Sequence, residues 1–100
     1  MKTPFQYEII SRLKKAREDK NFTQASIAKH LGISPGQLGN IESYKQCHKF
    51  TLAQIMKICD LLEVDIVEIL LPKGGKNINP KDVIEVIVKY QDNIEHINVD

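Results

Sequence analysis

The pattern Ser/Thr/Asp-x-x-Gln/Glu recurs along this chain, at Thr3-Pro4-Phe5-Gln6, Ser34-Pro35-Gly36-Gln37, Thr51-Leu52-Ala53-Gln54 and Asp65-Ile66-Val67-Glu68. Each reads as a capping box. The first side chain accepts from an orphan amide one turn into a helix, and the last reaches back to the cap's own N–H. Proline at the first helical position strengthens two of them. Asn79-Pro80-Lys81-Asp82 is a weaker version, and Thr23 caps one more start without the reciprocal partner. With starts this closely spaced, the chain predicts an all-α fold of short helices.

Helical periodicity follows each start. The first helix is predicted from about Pro4 to Lys20, with Ile9, Ile10, Leu13 and Ala16 inward and Asn21 in a left-handed end conformation. The second runs from Gln24 to Leu31, with Ile27, Ala28 and Leu31 inward and Gly32 as its stop. The third runs from Pro35 to Ser43 around Leu38 and Ile41. The fourth runs from Leu52 to Leu62 around Ile55, Ile58, Cys59 and Leu62. The fifth runs from Ile66 to Leu71, before Pro72.

These five helices define a domain over residues 1–72. Residues 73–79, with Lys73-Gly74-Gly75-Lys76-Asn77, read as a flexible linker. In the segment 80–100, five of the six residues from Val83 to Val88 are β-branched, which favours a strand. Yet Val83, Ile87, Tyr90, Ile94 and Ile97 step by four and three, and Glu85 and Lys89 stand in the favourable i, i+4 order. The heptad spacing favours a helix from about Pro80 to Asn98, with the strand as the alternative. A lone amphipathic helix of this length is marginal in water. The stripe is therefore expected to dock on the domain or to pair with a second copy as a dimerisation seam.

One hundred residues, 42% apolar and 27% charged, form one globular domain with a short appendage. No apolar run approaches the roughly 20 residues of a membrane span, and the N-terminus lacks the apolar stretch of a signal peptide. Cys47 and Cys59 make no disulfide framework, so a cytoplasmic location is expected. A two-domain enzyme, a channel and a disulfide knot are excluded. The net charge of +1 hides a polarity: residues 1–50 carry nine Lys/Arg and four acids, residues 51–100 five and nine. The basic half suits an anionic partner.

The stretch Thr23 to Glu42, TQASIAKHLGISPGQLGNIE, joins two short helices through Leu31-Gly32-Ile33-Ser34. Gly32 supplies the positive φ of a tight turn, Ile33 fills the angle, Ser34 caps the second helix, and small Ala28 sits where the helices cross. This is the pattern of a helix-turn-helix, whose second helix enters the DNA major groove. With Arg17, Gln24, Ala28, Leu31-Gly32-Ile33-Ser34, Ile41-Glu42, Leu62 and Val64 at matching spacing, residues 9–71 resemble the lambda-repressor-like (Xre) helix-turn-helix DNA-binding family. The resemblance implies a five-helix domain and a homodimer on a palindromic operator.

Carried over by position, the resemblance makes Gln24 a phosphate contact, in keeping with the positive end of a helix. It puts Ser34 at the mouth of the recognition helix and Pro35, Gly36 and Asn40 at base-reading positions, with Gln37 beside them. It makes Arg17 and Glu42 a salt bridge that orients that helix. Pro35 and Gly36 have no side-chain donors, which shifts direct readout to Gln37 and Asn40. An amide side chain can pair with adenine N6 and N7, worth about 1–3 kcal/mol of discrimination. The loop after Glu42 is about two residues longer than is common in the family, with Ser43 and Tyr44 where glycine often stands. Lys45, His48 and Lys49 in this loop suit the phosphate backbone, and Tyr44, Lys45 and Lys49 are counted among the DNA-binding residues.

Taken singly, Gln24, Gln37 and Asn40 are ordinary polar residues, and Gln37 can be simply the second half of a capping box. Cys47, His48, Cys59 and His30 lack the tight pairs of a zinc site, so no metal or cofactor is expected. No grouping of nucleophile, base and orienting residue points to an enzyme. The expected function is that of a sequence-specific transcriptional regulator, a repressor by preference. The alternative is an antitoxin or interaction module whose acidic segment within residues 73–100 holds a basic toxin.

Overall fold

A computed structural model describes residues 2–71 and 79–92. The described residues form six helices: α1 (Pro4–Asp19), α2 (Gln24–Leu31), α3 (Pro35–Glu42), α4 (Leu52–Leu62), α5 (Ile66–Leu70) and α6 (Pro80–Gln91). The sequence reading places all six starts correctly. Thr3, Ser34 and Thr51 form complete boxes, with both hydrogen bonds in place. Asp65 caps differently: its Oδ1 accepts from Val67 N–H at 2.9 Å, without the reciprocal bond from Glu68. Helix, not strand, is adopted over 80–91. The expected extension to Asn98 falls on residues outside those described.

Three helices end in the same way. Asn21 (φ 64°), Gly32 (φ 72°) and Glu63 (φ 56°) take left-handed conformations after α1, α2 and α4. In each case the next residue's N–H returns to a carbonyl five positions back: Phe22 to Arg17 at 2.9 Å, Ile33 to Ala28 at 3.0 Å, Val64 to Cys59 at 3.0 Å. This closure satisfies carbonyls that a helix end would otherwise orphan. Asn and Gly suit it; Glu63 adopts it against its side chain's preference.

The core collects Ile9, Ile10 and Leu13 from α1, Ile27 and Ala28 from α2, Leu38 and Ile41 from α3, and Ile55, Ile58, Cys59 and Leu62 from α4. Ala16, Leu31 and Ile33 pack at its margin. Phe50, Ile69, Leu70 and Tyr90 complete it. Burial pushes the Cys59 thiol up to about 11, with the Asp65 carboxylate adding to the shift.

The apolar stripe of α6 is turned inward rather than left for a partner. Tyr90 is 2% exposed, and Ile87 and Val86 pack against the core. The Tyr90 hydroxyl donates to Phe50 O at 2.8 Å, while Gln6 Nε2 donates to Tyr90 O at 2.7 Å. Lys89 Nζ lies 4.3 Å from the centre of the Phe5 ring. Docking on the chain's own domain satisfies the helix's need for a partner, so Tyr90 is a core residue and not a seam residue. Val83 is half-buried, and Ile94 and Ile97 lie outside the described residues. Ile84 (59% exposed) and Val88 face outward.

Candidate nucleic-acid interface

α2 and α3 cross through the turn at Gly32. Ser34 Oγ accepts from Gln37 N–H at 3.0 Å, and Gln37 Oε1 accepts from Ser34 N–H at 2.8 Å. The first turn of α3 is thus fixed before any ligand arrives. Its orientation is fixed by charge. Arg17 Nε donates to Glu42 Oε2 at 3.0 Å and Nη2 to Oε1 at 3.2 Å, a bidentate pair. Both side chains are buried, at 10% and 5% exposure. Arg17 Nη1 also holds Phe22 O at 2.9 Å, and Gln24 Nε2 donates to Glu42 Oε1 at 2.8 Å. One carboxylate therefore ties α1, the start of α2 and the end of α3 together.

The far end of α3 is held by a residue that the sequence reading counted only as a positive charge. Lys2 is 3% exposed. Its Nζ donates to Asn40 O at 3.4 Å, to Gln46 O at 2.6 Å and to Ser43 O. The cluster lies at the negative end of α3, which has no basic residue in its own last turn. Burial lowers the Lys2 ammonium's pKa from its ordinary value, and Cys47 nearby opposes the shift. The only signal in the sequence is indirect: a helix with neither a terminal cation nor a left-handed stop needs its carbonyls satisfied from elsewhere.

Between these anchors the outer face of α3 is exposed at Pro35, Gly36, Gln37 and Asn40. A groove of about 270 Å³ beside it is bordered by Gln37, Asn40, His48 and Gln54. Gln37 engages its Oε1 in the capping box, while its Nε2 donor is uncommitted among the described residues. Asn40 has both amide atoms uncommitted among the described residues. A Cβ built on Gly36 meets only Ser34 Oγ, at 3.9 Å, and one on Gly39 meets nothing within 4 Å. Packing among the described residues does not require either glycine.

The remaining residues assigned to DNA are placed unevenly. Tyr44 and Lys45 are exposed on the loop after α3, and Tyr44 meets the Tyr7 ring edge-on, 4.9 Å between centres. Gln24 sits at the first position of α2, beside helix-start amides that have no intrahelical acceptor. Its side-chain donor, however, is already engaged by Glu42. Lys49 borders the same groove as Gln37 and Asn40, but its ammonium is engaged elsewhere. Its Nζ holds Tyr90 O at 3.2 Å and Gln91 O at 3.1 Å, capping the negative end of α6. The sequence reading missed this because the acceptors lie 41 and 42 residues away.

A family model described as a helix-turn-helix domain matches residues 10–75. The chain belongs to the helix-turn-helix domain family. Within it the chain is of the Xre, or lambda-repressor-like, type. Domains of this kind belong to DNA-binding regulators. No curated protein and no solved structure matches the chain significantly. Lys2, Gln6 and α6 all lie outside the matched span. No described helix is long and apolar enough to cross a membrane.

Proposed function

We propose that this helix-turn-helix protein is a cytoplasmic, sequence-specific transcriptional repressor that binds a palindromic operator as a homodimer. Each copy places α3 in a major groove, with half-sites about 34–36 Å apart. The observation that carries the reading is the division of labour in α3. Both its ends are anchored, by Ser34 and by Arg17–Glu42, while Pro35, Gly36, Gln37 and Asn40 face outward. Asn40 reads a base through its free amide. Gln37 joins it as a donor, or pairs with both its atoms once Ser34 N–H is released. Gly36 admits a close approach of backbone to duplex. Lys45, Tyr44 and the amides of the α2 start meet phosphates, without sequence preference.

Two-fold pairing is required because one α3 reads a single half-site. The outward pair Ile84 and Val88 on α6 is the apolar surface a second copy covers. A dimer neutralising about six to eight phosphates gives a log–log salt slope near −6. The measurement is fluorescence anisotropy of a labelled duplex across salt concentrations, with sedimentation to count protomers. A slope near zero contradicts DNA binding by this face. The antitoxin reading places a basic protein on the same Ile84–Val88 face. A monomer that pairs with a protein encoded by an adjacent gene would favour it.

A further inference from the structure

We propose that Lys2 is a positioning residue for sequence readout, setting the C-terminal end of α3 and the loop that follows it. This rests on the DNA-reading role assigned to α3 above. The contrast with the other three of the first four helices leads to it; α5 and α6, like α3, end without a left-handed residue. α1, α2 and α4 each close with a left-handed residue and a returning amide. α3 does not: Ser43 is extended, at φ −88° and ψ 131°, and its N–H reaches Asn40 O only at 3.4 Å. The carbonyls at this end are instead gathered by one ammonium, which donates to Asn40, Ser43 and Gln46.

The clamp acts where readout is decided. Asn40 carries both a carbonyl held by Lys2 and the uncommitted amide on the outer face. Ser43 and Gln46 bracket Tyr44 and Lys45, exposed residues of the loop that follows α3. A shift of this loop moves the phosphate contacts relative to the base contacts, and so changes register. At 3% exposure Lys2 is itself withdrawn from solvent and is not one of the phosphate contacts. Its effect is on discrimination, not on overall attraction. Because position 2 precedes α1, the clamp also ties the segment before α1 to the recognition helix, across 38 residues of sequence.

The test uses the full chain with Lys2→Met and Lys2→Arg. The wild type first selects from a randomised 30-base-pair duplex library. The most enriched duplex and its scrambled counterpart are the two probes. Lys2→Met is expected to lower the ratio of affinities for the two probes by about tenfold, with the salt slope unchanged. Lys2→Arg, which retains charge and several donors, is expected to restore most of the ratio. Hydrogen exchange of residues 40–47 in the free protein should accelerate in Lys2→Met.

A ratio within twofold of wild type in Lys2→Met overturns the proposal. So does a salt slope that falls by about one with the ratio unchanged, because that identifies a phosphate contact. Unaltered exchange at residues 40–47 overturns the clamp whatever DNA does. A wild type that selects no sequence, while exchange responds to Lys2→Met, contradicts the readout claim and the DNA-reading role but leaves the clamp standing.

Discussion

α3 and α4 follow one another in the chain and are held in place differently. α4 has a complete box at Thr51 and a left-handed stop at Glu63, but its eleven residues include no glycine and bury four apolar side chains, so its face does most of the holding. α3 has eight residues, a proline and two glycines, and buries only Leu38, Ile41 and the carboxylate of Glu42. Each interior glycine costs a helix roughly 0.5–1 kcal/mol relative to alanine. α3 is held by its ends: a capping box at Ser34, an ion pair at Glu42 and a lysine beyond it. A helix secured in this way keeps its outer face free of structural duty. α4 also has an exposed side, at Ala53, Met56, Lys57 and Asp60, but its hold on the domain comes from the buried stripe opposite.

The largest predicted effect lies in α4. Ile55→Ala empties a site that is 0% exposed and should cost about 2–5 kcal/mol, read as a lower urea midpoint. The fraction that stays folded should retain its preference among duplexes. A loss of preference at full stability would erase the distinction between the two helices.

Next comes the ion pair. Arg17→Met leaves the Glu42 carboxylate buried with only Gln24 beside it and should cost about 3 kcal/mol. The double change Arg17→Met with Glu42→Leu should recover most of that stability, because a buried pair is weakly stabilising on balance. It should not recover sequence discrimination. If it does, the pair does not orient α3.

A smaller effect separates the helices by pH. The Cys59 thiol of α4 ordinarily titrates near 9.0 and is raised to about 11 in the fold. A raised pKa means the stability is whole below 9.0 and is lost as pH rises through 11. At about 1.4 kcal/mol per unit, reduced because solvent still screens the site, the loss is about 1–2 kcal/mol. Tyr90, also raised by burial, adds loss once the pH passes 10.0, whereas Lys2, shifted downward, contributes in the opposite direction. Urea unfolding of wild type and Cys59→Val between about pH 8 and 11 isolates the thiol. Equal slopes for the two proteins would contradict its burial.

The smallest effect has opposite signs in two assays. Gly36→Ala meets no clash among the described residues and should stabilise the fold by about 0.5–1 kcal/mol. The same methyl should weaken duplex binding at least several-fold, because Gly36 faces outward where a backbone would approach. Calorimetry and anisotropy on one preparation check both. A variant that gains stability and keeps its affinity shows that α3 does not meet DNA at this position.

Much of the fold was legible in local chemistry. Caps lie within three residues of what they bond, and Asn21 and Gly32 announce their left-handed turns. Glu63 occupies the same conformation without announcing it, because Glu has no special preference there. The turn and the Arg17–Glu42 pair were readable through the spacing of a known motif. The roles of Lys2 and Lys49 were not. Each lysine bonds to backbone carbonyls some 40 residues away, and carbonyls carry no residue identity. The stripe on α6 was read correctly as apolar, but periodicity does not say what an apolar face packs against. Gln6 and Phe50, which receive Tyr90, are 84 and 40 residues from it.

The most direct test of the central claim is capture of sheared host genomic DNA on the immobilised protein. It is sequenced beside a Gln37→Ala/Asn40→Ala control shown to be folded by circular dichroism. The account predicts a few enriched fragments that share a palindrome with half-sites one duplex turn apart, all lost in the control. Equal enrichment by the control, or no enrichment at low salt, would contradict a recognition role for the outer face of α3.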